Sequence, residues 1–157
     1  MNPVTRKPGI EIPSFIFYFF AISDDPKRMY EPWLDCFTED AEVTMGKKVA
    51  RGREELRELR RGMWKDVRSR KHHDFSNFYA AASDAFTKFK REQGEDEVEV
   101  MFSGKVTLEV VSGEGPETEQ KVVDWAAQGT LVRQDWESES GGAEKWKWAR
   151  YRVWLQS

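Results

Sequence analysis

The sequence predicts one α+β domain, a strongly curved antiparallel sheet wrapped around helices so that an aromatic-lined pocket lies between them. Three observations predict it. Apolar residues recur at helical spacing in two stretches before residue 68 and at strand spacing after it. Glycine-bearing segments separate the later strands, as hairpins require. Aromatic residues make up 13% of the chain, a high share, and large rings supply core area and pocket walls equally well.

The elements follow in order. Residues 1–12 contain Pro3 and Pro8 and little periodicity, and read as an N-terminal arm to a single domain over 13–157. Pro13 and Ser14 open a first helix that runs to about Ser23. Phe15, Phe19 and Ile22 share one face and Ile16 and Phe20 the next, so this helix must be enclosed. Asp25 before Pro26 reads as an N-cap followed by proline at the first helical position. The second helix then runs to about Phe37 with Met29 and Trp33 inward, and Pro32 kinks or shortens it. Thr38-Glu39-Asp40 closes that segment.

Ala41–Met45 is a short strand and Gly46-Lys47-Lys48 a turn. Gly52 precedes a third helix to about Val67, with Leu56, Leu59, Met63, Trp64 and Val67 as its apolar stripe. Strands follow at Ser69–Tyr79, Glu97–Val111, Lys121–Arg133 and Lys145–Leu155. Ser83 is placed to cap a short helix to about Arg91, Gly104 reads as a bulge or bend, and Asp135–Ala143 as a hairpin loop. Helices on one side of an antiparallel sheet make the α+β class.

Composition excludes several functions. A net charge of −3 argues against a dedicated nucleic-acid binder. The charge is uneven: nine basic and four acidic residues lie between Arg51 and Lys71, a solvated face or a contact patch. Cys36 is the single cysteine, so no internal disulfide and no cysteine-based metal site is available. The longest apolar run, Phe15–Ile22, is too short to span a membrane. Arg6 and Lys7 before it give it a faint likeness to a signal peptide, but a buried helix of a cytoplasmic protein fits better. Phosphate loops, dinucleotide fingerprints, nucleophile elbows and zinc clusters are absent, and no metal or organic cofactor is expected.

Certain segments, read in order, resemble the SnoaL-like branch of the nuclear transport factor 2-like superfamily. They are Phe37-Thr38-Glu39-Asp40-Ala41, Gly52-Arg53-Glu54-Glu55-Leu56, Gly62-Met63-Trp64, Ser69-Arg70-Lys71-His72, Asp124-Trp125-Ala126-Ala127 and Tyr151-Arg152-Val153-Trp154-Leu155. The pattern is similar to that of fungal SnoaL-like proteins and, more distantly, of scytalone dehydratase, over about residues 14–155. The resemblance implies a cone-shaped fold with an internal pocket, a hydrophobic small molecule as ligand, and frequent dimers through the outer face of the sheet. Superfamily members include polyketide cyclases, isomerases, dehydratases and proteins without catalysis, so fold alone does not fix function.

His72 and His73 are the only histidines. Neighbours on a strand point to opposite faces, so one of them faces the pocket. The resemblance to scytalone dehydratase puts a catalytic histidine at His72 and an orienting aspartate just after the first helix, at Asp24 or Asp25. With Asp25 assigned to a cap, Asp24 is the candidate. A carboxylate on one imidazole nitrogen fixes the tautomer and leaves the other nitrogen as general base or acid. The sequence departs from that family on the next long strand: Met101-Phe102-Ser103-Gly104 carries no second histidine, and Phe102 stands where the fungal proteins often have tyrosine.

Asp124 lies mid-strand and is either a pocket acid or an outer-face residue paired across the strand. Phe19, Trp64, Phe102, Trp125 and Tyr151 are expected to line the pocket and bind its ligand, with Tyr151 offering a hydroxyl. Trp148 and Trp154 fall opposite Tyr151 by alternation, and outward tryptophans point to a homo-oligomer, a dimer in the simplest case. The expected function is cofactor-independent isomerisation, cyclisation or dehydration of a polyketide- or terpenoid-like molecule by a His/Asp pair; the alternative is a non-catalytic ligand-binding or dimerisation module.

Overall fold

The phenylalanine-rich opening segment forms α1 (Pro8–Asp24), whose Phe15, Phe19 and Phe20 share one buried core with residues of the strands. The structure is a computed structural model and describes residues 8–26, 30–82, 96–111, 113, 115–133 and 146–156. After α1 come α2 (Tyr30–Leu34), β1 (Phe37–Met45), β2 (Lys48–Arg51), α3 (Gly52–Met63), β3 (Val67–Ala82), β4 (Asp96–Val111), β5 (Thr118–Arg133) and β6 (Trp146–Gln156). The expected helix after Ser83 and the loop at Asp135–Ala143 lie outside the described residues.

Six strands make one curved sheet in the order β2-β1-β6-β5-β4-β3. Four of its pairings are antiparallel; β1 runs parallel to β6. The α+β class is as expected, and the parallel pair is an addition to it. A long connection through the helices and β3–β5 separates β1 from β6, so no hairpin dictates their direction.

Several boundaries differ from the sequence reading. Helix α1 already includes Pro8, so it extends on the N-terminal side of the expected start and carries Pro13 in its interior. Helix α2 starts at Tyr30 and spans only five residues. Thr38-Glu39-Asp40 is strand, part of a β1 that starts at Phe37 and carries a register shift before Glu42. Lys48 belongs to a second short strand, with Gly46 at φ 61° in the turn before it. Helix α3 stops at Met63, with Trp64 as its C-cap and Asp66 at φ 60° turning the chain into β3.

Phe15, Phe19, Phe20, Trp33, Trp125, Trp148 and Tyr151 are all buried in one core. Phe19 is its hub, with ring centroids 5.1–6.4 Å from Phe15, Phe20, Trp33, Phe37, Trp148 and Tyr151. Two glycines make room for indoles. A Cβ on Gly129 would lie 2.3 Å from the Trp148 ring, and one on Gly104 would lie 2.8 Å from the Trp125 ring. Gly104 is therefore a close-packing position: the β4–β5 register runs through it without a shift. The break occurs instead on β3, between His73 and Ser76, where Asp74 has φ 52°. That irregularity puts Phe75 on the inner side with His72, its ring 5.2 Å from Phe20 and 5.8 Å from Trp125.

Candidate active site

Asp24 is the last residue of α1, where the helix dipole disfavours a negative charge. Arg60 offsets this from below. Its buried guanidinium donates to the carbonyls of Ser23 (2.9 Å), Ile22 (3.0 Å) and Asp25 (3.4 Å), satisfying the end of α1. Burial, with Arg70 nearby, lowers the Arg60 pKa to about 10, so the group is still charged at neutral pH. Ser23 completes the end: its Oγ donates to the Phe19 carbonyl at 2.8 Å and accepts from Trp33 Nε1 at 3.1 Å.

The carboxylate held there grips His72 twice. Asp24 Oδ1 is 2.5 Å from His72 Nδ1, and Oδ2 accepts the His72 backbone N–H at 2.9 Å. Nδ1–H donating to the carboxylate leaves Nε2 with the lone pair, and Nε2 has no protein partner among the described residues. The imidazole packs 4.5 Å from the Phe20 ring and 5.5 Å from Trp125, the latter edge to face. His73 points the other way: Nε2 is 2.7 Å from Thr107 Oγ1 and Nδ1 is 3.2 Å from Asp74 Oδ2. Alternation thus resolves the pair with His72 inside.

His72, Phe19, Phe20, Trp125, Tyr151 and Arg70 line a narrow chamber of about 40 Å³. The interior of the cone is smaller than the sequence suggests, because the ring cluster around Phe19 and Phe20 occupies most of it. At Met45, Met63, Arg70, Val106 and Leu155 the chamber meets a wider mouth of about 430 Å³. Space for an organic molecule lies in the mouth, and the chamber has room for a small group or for water. Burial raises the Tyr151 pKa well above the usual phenol range, so this hydroxyl stays a neutral donor or acceptor.

The other expected residues separate from this centre. Asp124 is a correction: its side chain is 57% exposed and accepts from Lys105 Nζ at 2.9 Å, directly across the β4–β5 ladder. Strand alternation places it on the face opposite Trp125, so it takes no part in the chamber. Trp64 does not line the chamber either. As the C-cap of α3 it stacks against the guanidinium groups of Arg60 and Arg70, at 5.7 and 5.6 Å. Phe102 is buried beside Phe20 and Trp125 but borders a second apolar cavity of about 220 Å³ with Pro13, Ile16, Phe17 and Phe75. Arg60 and Arg70 are the contributors that sequence reasoning passed over. Arg60 lies four residues after Leu56 on the apolar face of α3, and Arg70 lies two before His72 on one strand face; that periodicity was the available signal.

By sequence the chain matches no family profile and no curated protein. Solved structures give a clear likeness. A candidate scytalone dehydratase from Novosphingobium aromaticivorans superposes with a TM-score of 0.67 at 20% identity, over 94% of this chain and 83% of that one. The fold is nuclear transport factor 2-like. The hexachlorocyclohexane dehydrochlorinase LinA-type3 of Novosphingobium barchaimii is similar at TM-score 0.68 and 16% identity, over 94% and 85% of the two chains. ActVI-ORFA of Streptomyces coelicolor is similar at 0.62 and 15%, over 92% and 94%. At such identities the nuclear transport factor 2-like fold is what is shared. Among the described residues, no helix is long and apolar enough to cross a membrane.

Proposed function

We propose that this protein is a cofactor-independent acid–base catalyst, an isomerase, cyclase or dehydratase of the SnoaL-like kind, acting on a polyketide- or terpenoid-like molecule. One observation carries the reading: His72 Nδ1 is bound by Asp24 at 2.5 Å, and His72 lines the chamber whose wall residues Met45, Met63, Arg70, Val106 and Leu155 also line the mouth. Nε2 takes a proton from the carbon beside a carbonyl and, as the imidazolium so formed, returns it to the leaving hydroxyl or to another carbon of the substrate. Asp24 holds the tautomer and stabilises the imidazolium that forms. Tyr151 supplies a neutral hydroxyl to the same chamber, suited to donating to a developing oxyanion. The names of the similar proteins, among them a dehydrochlorinase and a candidate dehydratase, are in keeping with chemistry of this class.

The test is turnover of a panel of aryl-fused β-hydroxy ketones, followed by the ultraviolet absorbance of the conjugated product. His72→Gln and Asp24→Asn are each expected to lower kcat at least 100-fold. Undiminished turnover in His72→Gln overturns the assignment. A second reading, a non-catalytic binder, is favoured by the small volume of the chamber; it requires ligand affinity without turnover in the unmodified protein. A homodimer is proposed as well, supported by Met101, Val122 and Trp154, which stand exposed on the outer side of the sheet. Sedimentation of the unmodified chain and of Trp154→Glu tests it: a monomeric mass for the unmodified chain overturns the dimer, and a dimeric mass for the variant overturns this face as its interface.

A further inference from the structure

The charged residues that line the mouth are all of one sign. Its floor and walls are apolar: Met45, Leu59, Met63, Val106, Val123 and Leu155. Its polar lining is cationic throughout, from Lys47, Lys48, Lys65 and Arg70, and no acidic side chain lines it among the described residues. The neighbouring groove along α3 has the opposite character, with Glu54, Glu55 and Glu58, and Lys48 borders both. Arg70 is the one cation common to the mouth and the chamber.

Arg70 is also undercommitted. One terminal nitrogen donates to the Met63 carbonyl, and the ring of Trp64 lies 5.6 Å from the guanidinium. Its buried Nε has no hydrogen-bond partner among the described residues. Asp24 is near enough to favour the charged form, yet both of its oxygens are taken by His72, and it makes no ion pair with Arg70. Burial lowers the Arg70 pKa, which reflects a charge withdrawn from water without full compensation. A partly desolvated guanidinium with unused donors is a binding site for a carboxylate.

The geometry points to an amphipathic organic carboxylate as the ligand of this mouth, its apolar body on the Met45–Leu155 wall and its carboxylate on Arg70, with Lys47 and Lys65 steering it in. This deepens the acid–base reading by naming the charge on the substrate, and binding itself does not depend on His72 acting as a base. With the carboxylate on Arg70, two residues along the same strand face, the adjoining carbons lie toward His72.

Calorimetric titration with 2-naphthoate and its neutral counterpart 2-naphthamide tests the proposal. Expected are saturable binding of the naphthoate, at least tenfold weaker binding of the amide, and a naphthoate affinity that falls with added salt. Arg70→Gln is expected to weaken naphthoate at least tenfold and leave the amide unchanged. Should that variant unfold, Lys47→Gln/Lys65→Gln on the exposed rim is expected to reduce naphthoate affinity and flatten its salt dependence. Equal affinity for acid and amide, or no saturable binding of either, overturns the inference. His72→Gln is expected to keep the preference for naphthoate over naphthamide. Failure of the catalytic reading therefore appears as retained turnover in that variant, and failure of this inference as loss of the acid-over-amide preference.

Discussion

Asp24 holds His72 at two points, the ring through Oδ1 and the backbone through Oδ2. The second bond ties the end of α1 to β3 whatever the ring does, so Asp24 is structural and functional at once. Asp24→Asn keeps the shape and one acceptor but loses the other. A cost of about 1–3 kcal/mol is expected in urea denaturation. Nitrogen NMR of the imidazole separates the two roles: Nδ1-protonated ring in the unmodified protein, and a mixture of tautomers in the variant. A ring that keeps one tautomer in Asp24→Asn excludes the carboxylate as the group that sets it.

Arg60 is expected to act on the same centre at a distance. Arg60→Met fills the volume but strands the carbonyls of Ile22 and Ser23 at the end of α1. The expected loss is about 2–3 kcal/mol of stability. Because the end of the helix carries Asp24, the imidazole signals of His72 are expected to shift in the same direction as in Asp24→Asn. Lost stability with unmoved His72 signals would make Arg60 a packing residue only.

Asp124 gives the contrasting case. It is exposed, paired with Lys105, and on the far face of β5. Asp124→Asn is expected to leave turnover unchanged and to move the unfolding midpoint only slightly, since exposed pairs contribute little. A large fall in kcat with intact folding would restore it as a candidate.

The Trp148–Gly129 contact tests how tightly the cone is filled. A methyl group at Gly129 would enter the space of a fully buried indole and press on the Arg150 carbonyl, 2.9 Å away. Gly129→Ala is expected to cost about 1–3 kcal/mol by overpacking. A neutral result in thermal unfolding would mean that the interior yields more easily than its close ring contacts imply.

What the sequence made legible follows from burial. The Phe15–Ile22 helix and the alternation of Val98, Val100, Phe102 and Val106 are strong signals because one face of each must leave water. Thr38-Glu39-Asp40 misleads because β1 is polar there, and Lys48–Arg51 because only Ala50 of its four residues is buried. The stripe from Leu56 to Val67 keeps helical spacing past the end of α3, since Trp64 and Val67 pack from a turn and a strand instead. At the site, the contact of Asp24 with His72 was anticipated on the ground that Asp25 caps a helix. The structure places Asp24 Oδ1 2.5 Å from His72 Nδ1, and the described part of α2 runs from Tyr30 to Leu34. Arg70 stayed hidden because nothing in the sequence distinguishes a guanidinium with unused donors from the eight other basic residues between Arg51 and Lys71.

Cys36 links the core to alkaline stability. Its thiol is buried at the end of α2, and burial, with Asp35 adding to it, pushes its pKa up to about 12. In the unfolded chain a thiol ionises near 8.5. Above that pH the unfolded state sheds a proton that the folded state keeps, so stability falls as pH rises, from about 8.5 toward 12. The expected loss from this group is on the order of 1 kcal/mol between pH 7 and 9.5, below the range where the buried Tyr151 adds a contribution of the same sign. Urea denaturation across that interval measures it, with Cys36→Ala as the control in which this slope disappears. The same burial predicts that iodoacetamide labels Cys36 only on unfolding. An equal slope in Cys36→Ala, or rapid labelling of the native protein at pH 8, would mean that the thiol is reached by water and that the wall between α2 and β6 is open.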